Sequence, residues 1–163
     1  MLIDIRRFNC AVSNGLLLLS FIVLITMFLL SADLFANDVL IVQRRDGVAV
    51  RFEVEHARDA TTHRKGLMER QHLAQRSGMF FDFHRTQRIR MWMKNTLISL
   101  DMVFVRSNGK VSSVIKNTEP HSLKSQGSTE AVRYVLELNA GITERFSIDS
   151  DSRLIWGQMQ DND

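Results

Sequence analysis

Val48-Ala49-Val50-Arg51-Phe52-Glu53-Val54-Glu55-His56 is the stretch from which the fold reads most directly. In an extended chain Val48, Val50, Phe52, Val54 and His56 fall on one face, with Arg51, Glu53 and Glu55 on the other. That period of two belongs to a half-buried strand. Arg45-Asp46-Gly47 just before it is a turn signal, and residues 39–42 read as an earlier strand.

Toward the C terminus the same reading finds strands over residues 78–83, 88–94, 100–105 and 110–115, the last two a hairpin across Ser107-Asn108-Gly109. Residues 132–138 alternate again, with Val132, Tyr134, Leu136 and Leu138 inward, and residues 153–156 close the series. Asp59 or Thr61 caps an expected helix running to about Leu73, with Leu67, Met68 and Leu73 as its apolar contacts. Gly66 inside that helix costs about 1 kcal/mol relative to alanine and would admit a close neighbour. Ala140-Gly141 leads into a short helical turn. Residues 117–130 are polar, hold the only proline, Pro120, and read as a loop long enough to carry function. The expected fold class is β-dominated α+β, a sandwich or open barrel of about seven to nine short strands with one or two short helices. It occupies a single domain, residues 37–163, without internal repeats and with a polar tail after Gly157.

Residues 1–36 read differently. Arg6 and Arg7 precede an apolar run, residues 16–30, which ends in Ser31-Ala32-Asp33-Leu34-Phe35-Ala36. A positive start, an apolar centre and a small terminal residue make a secretory signal, with cleavage after Ala36 favoured over Ala32. The rival is an uncleaved membrane anchor, since residues 11–30 approach the roughly 20 needed to span a bilayer. Both place the domain outside the cytoplasm, periplasmic or anchored to the cytoplasmic membrane. Cys10 precedes the apolar run and is not a lipoprotein cysteine; being the only cysteine, it leaves the domain without disulfides.

The formal net charge is +3, and removing residues 1–36 leaves it unchanged. That mild excess suits an anionic glycan or lipid headgroup and is too small and dispersed for nucleic acid. The basic run from Arg64 to Lys94 has the same reading, against a plain solvated face.

Four blocks occur in order: Arg64-Lys65-Gly66-Leu67-Met68, Gly78-Met79-Phe80-Phe81, Trp92-Met93-Lys94-Asn95-Thr96-Leu97-Ile98-Ser99-Leu100-Asp101, and Tyr134-Val135-Leu136-Glu137-Leu138-Asn139-Ala140-Gly141. Together they resemble the family known as domain of unknown function 192, over about residues 48–157. Ser99 departs from the family's usual proline, which weakens a rigid turn at that point. The resemblance implies a compact, sandwich-like β-rich fold in a protein that is often exported, and it brings no reaction with it.

Candidate chemistry centres on residues 88–101. With period two, Arg88, Arg90, Trp92 and Lys94 share one face, and Ile89, Met91 and Met93 the other. An indole among cations would stack on a sugar and attract its anionic groups; the bland reading packs Trp92 under a loop. Lys94, Asn95, Thr96 and Asp101 form a second polar set, either a binding site or an ion pair of Lys94 with Asp101 plus backbone hydrogen bonds. His121, beside Pro120, is the one histidine with a functional reading. His56 reads as a hydrogen-bonded core residue, and His63 and His72 as exposed helix residues. Met68, Met79, Met91, Met93 and Met102 suggest copper(I), although core packing accounts for them better. An envelope hydrolase using Lys94 with His121 or a serine, Ser99 or Ser128, is a third reading, with no spacing that selects a nucleophile.

The reading favoured by these residues is an exported, non-catalytic binding or accessory module for an anionic or carbohydrate ligand, without a cofactor or metal. Its candidate ligand-binding residues are Arg90, Trp92, Lys94, Asn95, Thr96, Asp101 and His121. Cleavage after Ala36 predicts a mature chain beginning at Asn37, which the intact mass of the exported protein will show. A mass that retains residues 1–36 establishes the anchor instead.

Overall fold

The alternating stretch becomes a strand in which Val50, Phe52 and Val54 are buried and Arg51 and Glu53 are exposed. The computed structural model describes residues 38–157; the expected signal or anchor over residues 1–36 and the polar tail lie outside them. In chain order the elements are β1 (Asp38–Gln43), β2 (Ala49–Ala57), α1 (Ala60–Lys65), β3 (Ser77–Gln87), β4 (Arg90–Met91), β5 (Leu100–Val105), β6 (Val111–Ile115), β7 (Gln126–Gly127), β8 (Val132–Asn139), α2 (Ile142–Arg145) and β9 (Arg153–Ile155).

Seven strands make one sheet in the order β6-β5-β8-β3-β2-β1-β9, and β4 pairs with β7 in a small second sheet. Neighbours in the large sheet are antiparallel except β2 and β3, which run parallel because α1 and residues 66–76 carry the chain back between them. The sheet curls until its edges meet. Lys110 bridges to Arg153, Val111 N donates to Ser152 O at 3.0 Å, and Leu154 N donates to Gly109 O at 2.8 Å. The result is a half-closed barrel, and the expected fold class holds.

Curling gives the sheet an inner and an outer face, and both are apolar. Leu40, Phe52, Phe80, Val103, Tyr134 and Leu136 fill the inside, where the Trp156 ring lies 4.7 Å from Phe80 and 4.8 Å from Tyr134. Met79, Phe81, Met102, Phe104 and Val135 cover the outside. Leu67, Ile89 and Met93 seal that outer layer from above, each gaining about 1.5–3 kcal/mol by burial.

Three expected elements change. The helix ends at Lys65, short of Leu73, because Gly66 leaves the helical region with φ +46. His72 therefore lies beyond it, exposed, and His63 is half-buried. The strand expected over residues 88–94 shrinks to Arg90–Met91, since its only sheet partner is the two-residue β7. Its alternation survives as burial: Ile89 and Met93 are inside, and Arg88, Arg90, Trp92 and Lys94 outside. The polar loop contains β7, which passes so close to β4 that a Cβ on Gly127 would lie 2.2 Å from Ile89 O.

Asp101 also departs from its expected partner. Its side chain is fully buried and accepts from Asn117 N at 2.9 Å, Thr143 N at 2.9 Å and Thr143 Oγ1 at 2.7 Å. No ion pair joins it to Lys94 among the described residues; Asp101 binds α2 and the start of the polar loop to β5. Asp101→Ala strands those buried donors and should lower the unfolding free energy by about 3 kcal/mol or more, seen as a reduced urea midpoint.

Candidate functional site

Two stretches of chain cross the outer face of the sheet, and a cleft opens between them. The first is α1 with the turn after it. Asp59 starts it by accepting from Thr61 N at 2.8 Å and Thr62 N at 2.9 Å, while its own N–H donates to Thr62 Oγ1 at 3.2 Å. Gly66 then turns the chain in a left-handed conformation that side chains disfavour. A Cβ there would stand 3.5 Å from the Phe81 ring and 4.0 Å from Glu137 Oε2, so the chain passes directly over both residues. The second crossing runs through β4 to Thr96. Glu69 N donates to Asn95 O at 2.8 Å and ties the two crossings together, with both residues at positive φ.

The cleft has a volume of about 480 Å³. Phe81, Phe83, Met68 and Met91 line its walls. His63 belongs to the same wall: its ring lies 4.6 Å from Phe83 and its Nε2 is 2.9 Å from Ala57 O. Arg64, Lys65, Arg90 and Lys94 bring positive charge. Trp92 stands 51% exposed beneath the Lys94 ammonium, which sits 5.4 Å from the ring centroid. That cation–π contact holds an indole face open to solvent, and the loop cover expected for Trp92 does not form.

Glu137 lies at the floor. Its register partners on the neighbouring strands are Met79 and Met102, so its carboxyl is inserted into the apolar outer layer. It is 4% exposed and accepts no hydrogen bond among the described residues. Burial alone pushes its pKa from 4.5 up to about 8. At neutral pH it is an uncharged acid with one O–H to donate and one carbonyl oxygen to offer. Among the described residues it is the only carboxyl in the cleft lining, so the cations around it find no second counter-ion there.

Of the residues singled out from sequence, Arg90, Trp92, Lys94, Asn95 and Thr96 come together in the cleft. Arg90 is partly committed: Nε donates to Ser125 Oγ at 3.0 Å and Nη2 to Ser125 O at 2.9 Å, strapping down the polar loop. Asp101 and His121 lie outside the lining. His121 is exposed, and its backbone N–H donates to Thr96 O at 3.1 Å. Neither proposed serine meets Lys94 in the cleft. Ser99 Oγ donates to Thr118 O at 2.6 Å, and Ser128 Oγ accepts from Ile89 N at 3.2 Å. Met79, Met93 and Met102 belong to the outer core, while Met68 and Met91 line the cleft. Among the described residues no group of three or more His, Cys, Asp or Glu could hold a metal ion.

Glu137 is the residue that sequence reasoning passed over. A signal was present: Val135 and Leu136 are adjacent and both apolar, which marks β8 as buried on both faces. A carboxyl two residues along such a strand has no solvent side to face.

A model of the family DUF192, described as an uncharacterized ACR, matches residues 41–156. Among solved structures the chain is similar to a protein from Sinorhizobium meliloti 1021 described as a candidate transcription regulator. Identity is 38%, the TM-score is 0.73, and the match covers 75% of this chain and 95% of that one. It is also similar to a protein of unknown function from Novosphingobium aromaticivorans DSM 12444, with 30% identity, a TM-score of 0.70, and 72% and 84% of the two chains covered. No curated protein matches.

The buried acid sets a pH dependence. Below pH 4.5 the folded and unfolded chains both hold the proton, and Glu137 adds no pH-dependent loss of stability. As pH rises toward 8 the unfolded chain releases it and the fold keeps it, so stability falls, by on the order of 5 kcal/mol in all. Glu137→Gln removes that loss. Its melting temperature should exceed the wild type's by at least about 5 °C near pH 8 and match it near pH 4.

Proposed function

This chain belongs to the DUF192 family, and from that premise we propose that it is an extracytoplasmic, non-catalytic binding module whose cleft takes an anionic, hydroxyl-bearing carbohydrate. The observation that carries this reading is Glu137. An acid only 4% exposed, without a hydrogen-bond partner among the described residues, lowers stability, and it lines a cleft through which a ligand oxygen can reach it. The uncharged acid suits a ligand hydroxyl, donating to its oxygen or accepting its proton. Trp92 supplies a flat apolar face for a sugar ring, and the walls of Phe81 and Phe83 continue that apolar lining. Lys94, Arg64 and Lys65 then meet the anionic substituents.

The chemistry of the lining favours binding over turnover. Most glycoside hydrolases use two carboxyl groups, and the described lining offers one. The transcription-regulator description stays with the relative. The described helices, of six and four residues, are too short to read a DNA groove. The apolar run and flanking arginines of residues 1–36 support a place outside the cytoplasm.

Calorimetric titration with glucuronate-bearing disaccharides and their neutral counterparts tests the proposal. The acidic sugars should bind more tightly than the neutral ones, with an advantage that shrinks as salt rises. Trp92→Ala and Lys94→Ala should each weaken binding about tenfold. Wild-type affinity should fall above about pH 8 as Glu137 ionises, and Glu137→Gln should show no such fall. A wild-type chain that binds neither kind of sugar would end this reading.

A further inference from the structure

A second feature of the same corner shares Trp92 and Lys94 with the cleft but extends beyond its lining. Three large apolar side chains stand in solvent there: Trp92 at 51% exposed, Leu97 at 40% and Leu123 at 69%. They sit on two loops bonded to each other. Met93 N donates to Ser122 O at 3.0 Å, His121 N donates to Thr96 O at 3.1 Å, and Arg90 straps Ser125. Between the Met91–Gln126 pair and the Met93–Ser122 bond residue 92 lies opposite residues 123–125, and residue 97 follows directly on the Thr96–His121 bond. Exposed apolar residues scattered singly need no explanation, but three on joined loops form a patch.

The charge around the patch is predominantly positive. Arg88, Arg90, Lys94 and Lys124 are exposed on these loops, and across residues 88–97 and 119–125 the sole carboxylate is Glu119. Leucines for insertion, an indole for the headgroup level and cations for phosphates are the three elements of an interfacial anchor. We propose that this corner docks onto an anionic phospholipid membrane, with Leu97 and Leu123 entering the acyl boundary, Trp92 at headgroup depth, and Arg88, Lys94 and Lys124 against lipid phosphates. The cleft mouth, which shares Trp92 and Lys94, then lies close to the membrane surface.

The test uses the full chain in a Trp156→Phe background, so that Trp92 is the sole indole reporter. Its fluorescence is followed in vesicles carrying brominated lipid, made either of phosphatidylglycerol or of phosphatidylcholine. A local reporter at Trp92 reads docking of this corner whatever residues 1–36 do. Trp92 should be quenched in the anionic vesicles and not in the zwitterionic ones, with quenching relieved by high salt. Leu97→Ser with Leu123→Ser should abolish the quenching, and Arg88→Gln with Lys124→Gln should weaken docking about fivefold per charge. None of these four residues lines the cleft, so sugar binding in both double variants should match the parent. No quenching in phosphatidylglycerol vesicles, or equal quenching in the double-leucine variant, overturns the proposal.

Discussion

The structure depends on β8 being buried from both sides. A sheet that curls until its edges touch encloses Tyr134, Leu136 and Leu138 on its inner face and still presents Val135 outward. That outer face is as apolar as the inner one and must also be covered. Among the described residues no second sheet of comparable size covers it; α1, its following turn and residues 88–97 lie across it. Their buried anchors, Leu67, Ile89 and Met93, are the residues that make these irregular segments stable on the surface. Two narrow straps cannot cover a wide sheet, and the space left between them is the cleft.

Two acids show how differently the faces treat a carboxyl. Asp101, on β5, is fully buried with two backbone N–H groups and a hydroxyl donating to it, so its desolvation is offset and it becomes a structural tie. Glu137, one strand over, lies between Met79 and Met102 with no donor among the described residues. The first arrangement is what a stable fold selects. The second is destabilising in isolation, because a carboxyl taken out of water gains no donor in return.

The same corner joins the cleft to the surface. Trp92 is held upright by Lys94, and the polar loop is strapped to the second crossing by Arg90. Apolar and cationic side chains thereby gather at the mouth of a pocket whose floor is an uncharged acid. That sorting, neutral inside and positive outside, follows from desolvation: a full charge is costly among Phe81, Met79 and Met102, and inexpensive at the solvent edge.

Much of the fold was legible in the sequence because period-two alternation requires only that each residue face its own sheet. The positions of β2, β5 and β8 and the turn at Asn108-Gly109 read correctly from local pattern, although β8 is buried on both faces and Val132 packs with the outer layer rather than with Tyr134, Leu136 and Leu138; of the two expected caps, Asp59 and Thr61, the structure uses Asp59. The polar cluster of Arg90, Trp92, Lys94, Asn95 and Thr96 was legible too, since one short segment carries it. What the sequence could not decide were features set by distant neighbours. The helix stops at Gly66 because the chain must cross over Phe81 and Glu137, far away along the chain. Residues 88–94 keep their alternation but lose their strand, because the only edge they meet is two residues long. Asp101 finds Thr143 rather than Lys94, and Glu137 is left with Met79 and Met102 at its sides. Local pattern tells a side chain which way to face; only the closed sheet determines whether anything waits there to receive it.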